Sequence, residues 1–310
     1  MSKPMPVPTS APMSIQQLIT PHVKDLGGFK ARRSLPQDER TLVGPFIFFD
    51  HLGPATFPPG KGIDVRPHPH INLATLTYLF EGSLLHRDSL GSVQEILPGA
   101  VNWMTAGKGI VHSERSPDSS RDKTDTLHGI QTWIALPEAN EESEPSFRHY
   151  PEAELPHWTE NGATIKLIAG EAYGQRSPVQ TYSPMLYLDV QLAPGGRFTL
   201  PPKYSEQAVY SITTGLSIAD KPIEQHRLVV LTTGESVEIS ATDAARCIVI
   251  GGEPLGRRAK WWNFVSSRPA RIEQAKQAWK AQTFTAVPEE DGFIPLPEDS
   301  YEKSPQEQIL

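Results

Sequence analysis

The sequence is poor in three features that would assign it to common classes of protein. It has a single cysteine in 310 residues, so no disulfide can form within the chain, which is typical of a reducing compartment. No stretch approaches the roughly 20 apolar residues of a membrane-spanning helix. The formal net charge is −7, and direct binding to nucleic acid needs a basic face. We therefore expect a cytoplasmic protein that contacts neither membranes nor nucleic acid.

What the chain has in quantity is proline and glycine. The 30 prolines and 23 glycines indicate many turns between short elements, which is typical of an all-β protein. Residues 1–13 lack the apolar core of a signal peptide and are interpreted as a flexible arm. Residues 45–49 are predicted as a strand that ends in a turn at 50–54, and residues 73–80 as a strand inside a barrel wall.

A weak internal repeat divides the chain. A shift of 133 residues aligns Gly82 with Gly215 and Gly62 with Gly195, which supports two copies of one barrel. Near the end, Pro269 follows two serines and precedes apolar residues at helical spacing, which predicts a helix. The predicted organisation is an arm at 1–13, a barrel at 14–145, a second barrel at 146–265, a helix at 266–284 and an acidic, proline-rich tail at 285–310.

Two short motifs carry the chemistry. His68 and His70 are two residues apart, as are His112 and Glu114, and residues two apart on a strand point to the same face at a separation of about 6.5–7 Å. If the two strands are close in a barrel wall, three imidazoles and one carboxylate converge on a divalent transition metal rather than on calcium. The alternative is that each pair is simply polar and faces solvent.

The sequence around these motifs resembles that of known families. Gly62-x5-His68-x-His70 followed by Gly82 resembles the first motif of cupins, small jelly-roll barrels that hold a metal. Longer segments resemble the pirin family within the cupins, over residues 14 to about 297. These segments are His68-Pro-His70, Tyr78-Leu-Phe-Glu-Gly82, His86-Arg-Asp-Ser-Leu-Gly91, Trp103-Met-Thr-Ala-Gly-Lys-Gly-Ile-Val-His112-Ser-Glu114 and Gly251-Gly-Glu-Pro-Leu255.

The resemblance implies an all-β fold of two tandem cupin domains with a C-terminal helix and an extended tail. It implies one metal in the first barrel, held by His68, His70, His112 and Glu114, with Fe(II) favoured over zinc, manganese, nickel, copper and cobalt. Several pirins resemble quercetin 2,3-dioxygenases, which implies ring opening of a flavonol by O2, with Glu114 as ligand, base or both. Other pirins regulate transcription or enzymes. The alternative is therefore a non-catalytic, metal- or redox-responsive protein that binds a partner protein.

The sequence departs from the general cupin pattern in two places. Cupins usually carry a glutamate ligand four or five residues after the second histidine, where this chain has Ala74 and Thr75. The carboxylate role then passes to Glu114, or the site has only three ligands. In the second repeat, Pro201 and Lys203 occupy the positions of the paired histidines. We therefore expect no metal in the second barrel.

The remaining histidines and the cysteine are given structural roles. His51 is interpreted as a turn residue, with the mouth of the pocket as the alternative. His86 is assigned to the neighbourhood of a hairpin and His128 to a strand. Cys247 lies in an apolar run and is expected to be a small buried side chain. The oligomeric state is left open.

Overall fold

The computed structural model describes residues 14–25 and 28–297. The predicted arm at 1–13 and the last part of the predicted tail, 298–310, lie outside the described residues. Nearly every described element is a β-strand. The helices are two: a short α1 at Asp118–Arg121 and the longer α2 at Pro269–Lys280 within the described part, besides single turns of 3-10 helix at Glu138–Asn140 and Glu152–Glu154.

The strands of the first half and its flanks are β1 Ile15–Ile19, β2 His22–Asp25, β3 Lys30–Leu35, β4 Phe46–Phe57, β5 Asp64–His70, β6 Leu73–Glu81, β7 Leu84–Asp88, β8 Val93–Ile96, β9 Val101–Thr105, β10 Ile110–Arg115, β11 Asp125–Ala135 and β12 Ser146–Tyr150. The strands of the second half are β13 His157–Glu160, β14 Ala163–Ala172, β15 Gln175–Arg176, β16 Met185–Leu192, β17 Arg197–Leu200, β18 Glu206–Ser211, β19 Leu216–Ile218, β20 Lys221–Ile223, β21 Leu228–Leu231, β22 Val237–Ala241, β23 Ala245–Gly252, β24 Ala259–Trp261 and β25 Phe264–Ser266.

The strands form two barrels of the same design. In the first barrel a seven-stranded sheet, β12-β9-β6-β11-β4-β3-β2, faces a four-stranded sheet, β5-β10-β7-β8. In the second barrel the corresponding sheets are β1-β21-β18-β23-β16-β14-β13, with β15 paired to β14, and β17-β22-β19-β20. The 133-residue shift places β5 on β17 and β6 on β18, as the repeat predicted. The all-β fold of two tandem barrels is confirmed.

Two strands cross between the halves of the chain. The N-terminal strand β1 pairs with β21 and so completes the second barrel, whereas β12, at residues 146–150, pairs with β9 of the first barrel. The predicted division at residue 145 would instead place β1 in the first barrel and β12 in the second. Local sequence carries no sign of this exchange, because an edge strand is assigned by its partner and not by its own residues.

The two large sheets pack face to face and bury an apolar layer between the barrels. This layer contains Phe46, Tyr78, Trp103, Tyr187 and Tyr210, all buried.

A charged bridge also crosses the barrel interface. The Tyr78 hydroxyl donates to Asp189 Oδ2 over 2.7 Å, and Arg246 donates to both oxygens of that carboxylate. Because Asp189 is buried, these three hydrogen bonds satisfy a charge that would otherwise be costly to desolvate.

The predicted turn at residues 50–54 is wrong. The strand β4 runs without a break from Phe46 to Phe57, and it pairs with β3 on one side and with β11 on the other. His51 is therefore not a turn residue; it is fully buried and faces the second barrel, where it meets Tyr210. Hydrogen bonds to two neighbouring strands outweigh the local preference of Asp, Gly and Pro for a turn.

The chain that follows the second barrel returns to cover the first. The hairpin of β24 and β25, the buried face of α2 and the segment after it pack on Ile71 and Val111. The buried face of α2 consists of Ile272, Ala275 and Trp279. The helix ends at Lys280, and residues 281–284 of the predicted helix are not helical. None of the described helices is long and apolar enough to cross a membrane.

Candidate metal centre

Two antiparallel strands of the small sheet bring the predicted histidines together. His68 and His70 lie on β5, and His112 lies on β10 directly opposite His68. The alternation of a strand turns all three side chains into the first barrel, where His68 is 7% exposed and the other two are 1% exposed. The ring centroids of His68 and His112 are 4.4 Å apart, and His70 is 5.1 Å from each.

The nitrogens of these rings converge on one point. One ligand nitrogen from each of His68, His70 and His112 lies within 4.8 Å of the other two, and this is the only such group of three or more metal-ligand side chains among the described residues. A spacing of this size leaves room for one ion between the rings. The expectation that the two histidine-containing strands are neighbours is confirmed.

Hydrogen bonds around the rings show which nitrogens are available. His68 Nδ1 is 2.9 Å from the Arg66 carbonyl oxygen, which only accepts, so Nδ1 carries the proton and Nε2 holds the lone pair. His112 Nε2 is buried and has no hydrogen-bond partner among the residues that the structure describes. A buried imidazole nitrogen without a partner is costly, and a metal ion would satisfy it.

Burial sets the protonation of the cluster. It lowers the pKa of His68, and it lowers the pKa values of His70 and His112 well below the usual range, with the neighbouring imidazoles adding to the effect. All three rings are therefore neutral near pH 7. Neutral imidazole is the form that binds metal, so the residues present fit a divalent transition-metal ion.

Glu114 is on the same strand but is held differently. A register shift separates His112 from Glu114 on β10, and the Glu114 carboxylate is not part of the group of converging nitrogens. Its Oε1 accepts a hydrogen bond of 2.7 Å from Gln131 Nε2 on β11. Glu114 is close enough to His68 for its charge to oppose the lowering of that pKa. Its role as the fourth ligand stays a prediction.

An aromatic wall stands beside the cluster. Trp133 meets the His70 ring edge to face at 5.0 Å, and Phe48 stacks on Trp133 at 4.1 Å. The guanidinium of Arg33 lies over the outer face of Phe48 at 4.3 Å and pairs with Asp50. These buried aromatic rings connect the histidine cluster to the ion pair of Arg33 and Asp50.

The other predicted residues have these positions. His128 lies on β11 as expected, and Cys247 is buried as expected. His86 lies on β7 and touches His112, with 3.4 Å between the two Nδ1 atoms. In the second barrel, Pro201 and Lys203 follow the end of β17, and the absence of metal there stays a prediction.

Several residues near the cluster were not predicted. They are Asp88, Gln131 and Trp133, together with Glu290 and Ile294 from the C-terminal segment. Ile294 donates its backbone N–H to the Pro67 carbonyl, next to His68, over 2.8 Å. The only signal in the sequence was the apolar group at residues 293–297, for which docking on a surface was a reasonable interpretation.

The fold and the site together define a bicupin with a histidine cluster in its first barrel. Residues 28–134 match the family model described as Pirin, and residues 187–285 match the one described as the Pirin C-terminal cupin domain. The chain belongs to the pirin family.

Individual relatives agree with this assignment. A Pirin-like protein of Caulobacter vibrioides is 48% identical over 279 residues, covering 89% of this chain and 96% of the relative. Human Pirin is 36% identical over 236 residues, covering 74% of this chain and 78% of the relative. The crystal structure of a quercetin 2,3-dioxygenase from Acinetobacter baumannii has a TM-score of 0.84 and 34% identity, with 91% of this chain and 96% of that chain covered.

Proposed function

We propose that this pirin is a metal-dependent dioxygenase that opens the ring of a flavonol-type aromatic, such as quercetin, with O2. The proposed ligands are His68, His70, His112 and Glu114, and the proposed metal is Fe(II). When bound, the metal would lower the pKa of a substrate hydroxyl and hold substrate and O2 close together. The convergence of three buried neutral imidazoles in the first barrel is the observation that supports this most strongly.

The substrate class is supported by the surroundings of the cluster. Trp133 and Phe48 offer a stacked apolar surface beside His70, which suits a flat aromatic ring and excludes water from it. The similarity to the Acinetobacter baumannii quercetin 2,3-dioxygenase over 91% of the chain supports the same class.

We assign Glu114 the role of a base, because its carboxylate is close enough to His68 to affect the pKa of that ring. A carboxylate can take the proton that a substrate hydroxyl loses, which leaves the electron-rich anion that reacts with oxygen. Gln131 donates to one carboxylate oxygen at 2.7 Å, and this contact would aim the side chain into the barrel. In this role Glu114 binds the metal, accepts the substrate proton, or does both in turn.

The test is oxygen consumption by protein reconstituted with Fe(II), measured with quercetin present and absent. The variant His68→Ala removes one imidazole of the cluster. The matched control is His157→Ala, because His157 is exposed on the second barrel. We expect the native protein and His157→Ala to consume oxygen only with quercetin, and His68→Ala to bind less iron and to consume none.

Two results would contradict the proposal. Equal oxygen uptake by native protein and His68→Ala would show that the cluster does not carry the reaction. Bound iron without oxygen uptake on any of a series of flavonols would refute the substrate class and leave the metal centre. In that case, binding of a partner protein by the Fe(II) and Fe(III) forms should be compared next.

A further inference from the structure

Two buried residues, His86 and Asp88, form a hydrogen-bonded series that begins at the Nδ1 atom of His112. The His112 Nδ1 atom is 3.4 Å from His86 Nδ1, and His86 Nε2 is 3.0 Å from Asp88 Oδ2. His86 and Asp88 come from β7, which pairs with β10, and both are buried. Phe147 stacks on the His86 ring at 4.1 Å with an angle of 11° between the planes, so the ring is held in place.

The positions of the protons in this hydrogen-bonded series can be assigned by starting from Asp88. Asp88 Oδ1 accepts the backbone N–H groups of Leu90 at 2.9 Å and Ser92 at 3.0 Å, while Oδ2 faces His86. A carboxylate that accepts two backbone N–H groups at one oxygen is in its ionised form and can only accept. His86 Nε2 must therefore donate, and an imidazole with one proton then has a lone pair on Nδ1.

The same logic settles His112. Because His86 Nδ1 can only accept, the proton between the two rings belongs to His112 Nδ1. The lone pair of His112 is then on Nε2, the buried nitrogen that has no other partner. The contact of His112 Nδ1 with His86 and the lack of a partner at His112 Nε2 thus indicate the same tautomer.

We propose that Asp88 and His86 are positioning residues that fix the tautomer of His112 and present its Nε2 atom to the metal. This inference rests on the metal centre of the proposed function. Partners that orient a ligating histidine typically change metal affinity by about 10- to 100-fold when they are removed. The pair His86 and Asp88 would act in this way through His112 alone.

The variant Asp88→Asn tests the direction in which the hydrogen bonds from residue 88 through His86 to His112 are donated, because it keeps the hydrogen bonds but reverses their donors and acceptors. Leu90 and Ser92 donate to Oδ1 and would keep the amide oxygen there, so the amide N–H group would face His86. His86 would then accept at Nε2 and donate from Nδ1, which moves the proton of His112 to Nε2. That proton occupies the metal-binding position, although the shape of the side chain at residue 88 is unchanged.

Two measurements on the full-length protein read this out. The first is the tautomer of His112 in metal-free protein. It is read by NMR from the couplings between the ring nitrogens and the carbon-bound ring protons of nitrogen-15-labelled histidine. The second is Co(II) affinity by competition with a chelator, together with the absorption spectrum of the bound Co(II). We expect Nδ1–H in the native protein, Nε2–H in Asp88→Asn, and Co(II) binding weakened by about 10- to 100-fold.

Further variants separate positioning from folding. His86→Gln retains one donor and one acceptor and should bind Co(II) more tightly than His86→Leu, which has neither. Asp220→Asn, at an exposed position, is the control for an Asp-to-Asn change and should leave both readouts unchanged. If Asp88→Asn fails to fold, the native tautomer and the comparison of the two His86 variants decide the matter.

The outcomes distinguish this inference from the function it rests on. An Nε2–H tautomer in native metal-free protein, equal Co(II) affinity in native protein and Asp88→Asn, or equal affinity in the two His86 variants would overturn the positioning role. Failure of the native protein to bind Co(II) or Fe(II) would refute the proposed function and, with it, the presentation of Nε2 to a metal.

Discussion

The Nε2 atoms of His51 and His128 lie 2.7 Å apart, and His51 reaches across the barrel interface to the Tyr210 hydroxyl, which is 3.0 Å from its Nδ1 atom. His226, from the second barrel, lies nearby with its ring tilted by 57° and its centroid 5.2 Å from that of His51. These histidines are separate from the metal cluster. They form a polar contact between the barrels, in which burial disfavours the charged form of each ring.

This contact predicts a loss of stability in mild acid. Burial lowers the pKa of His51 to about 2, and the neighbouring His128, His226 and Arg32 add to the effect. Burial likewise lowers the pKa values of His128 and His226 to about 4. The unfolded chain, with histidine pKa values of about 6.5, therefore takes up protons first as the pH falls.

The sign and size of the change in stability with pH follow from this difference between the folded and unfolded pKa values. Stability is fully present above about pH 6.5 and falls as the pH decreases towards the folded pKa values, and His51 alone contributes up to about 1.4 kcal/mol per pH unit. Two ion pairs also face these histidines: Arg246 with Asp189, and Arg227 with Glu224. We expect urea unfolding of metal-free protein between pH 7 and pH 5 to show this slope, and His51→Gln to show a shallower one. Equal slopes would contradict the prediction.

A second prediction concerns the C-terminal segment that covers β10. Glu290 accepts hydrogen bonds from Ser113 Oγ at 2.7 Å and from Arg115 Nε at 2.9 Å, and its side chain is only 4% exposed. These partners alternate with His112 and Glu114 along β10. Removing the carboxylate with Glu290→Ala leaves Arg115 without its main partner, and we expect the free energy of unfolding to fall by about 2–3 kcal/mol.

The neighbouring residue provides the control. Glu289 pairs with Arg87, but its side chain is 78% exposed, and exposed ion pairs contribute little. Glu289→Ala should change the unfolding free energy by less than about 0.5 kcal/mol. Urea denaturation of the three proteins checks this, and equal destabilisation by the two variants would show that Glu290 does not fasten the segment.

The predictable part of the site was the part that depends on one strand at a time. The spacing of His68 and His70, and that of His112 and Glu114, determines which face each pair shares, because alternation is a property of any strand. That β5 and β10 are neighbours was a condition of the prediction, which local pattern could not supply and which their pairing now meets. The turn predicted at residues 50–54 failed for the converse reason, since pairing with two distant strands keeps β4 continuous through these residues.

Contacts between distant segments were beyond the reach of the sequence. Asp88 is two residues from His86, so their pairing leaves a local pattern, but its meaning depends on His112, which approaches from another strand. Similarly, Glu290 meets Arg115 only because the chain returns over the first barrel after α2. Such contacts are decided by three-dimensional packing, and a single sequence shows only that suitable side chains exist.

The last prediction separates the two roles of Glu114. In Glu114→Gln the side chain keeps its length but loses its charge and its capacity to take a proton. The three imidazoles remain and the amide keeps one oxygen, so we expect Fe(II) still to bind, with affinity reduced by about 10- to 100-fold. Oxygen uptake with quercetin should fall by at least about 100-fold, because general bases typically contribute factors of 10² to 10⁴.

Glu95→Gln is the matched control for this change. Glu95 lies on β8 of the same small sheet but is exposed, so its variant should bind iron and consume oxygen like the native protein. Iron content and oxygen uptake are to be measured on the same samples, so that uptake is expressed per bound iron. Unchanged uptake per iron in Glu114→Gln would exclude Glu114 as the base and leave it as a ligand only, whereas a fall in uptake at full iron occupancy would assign it the proton.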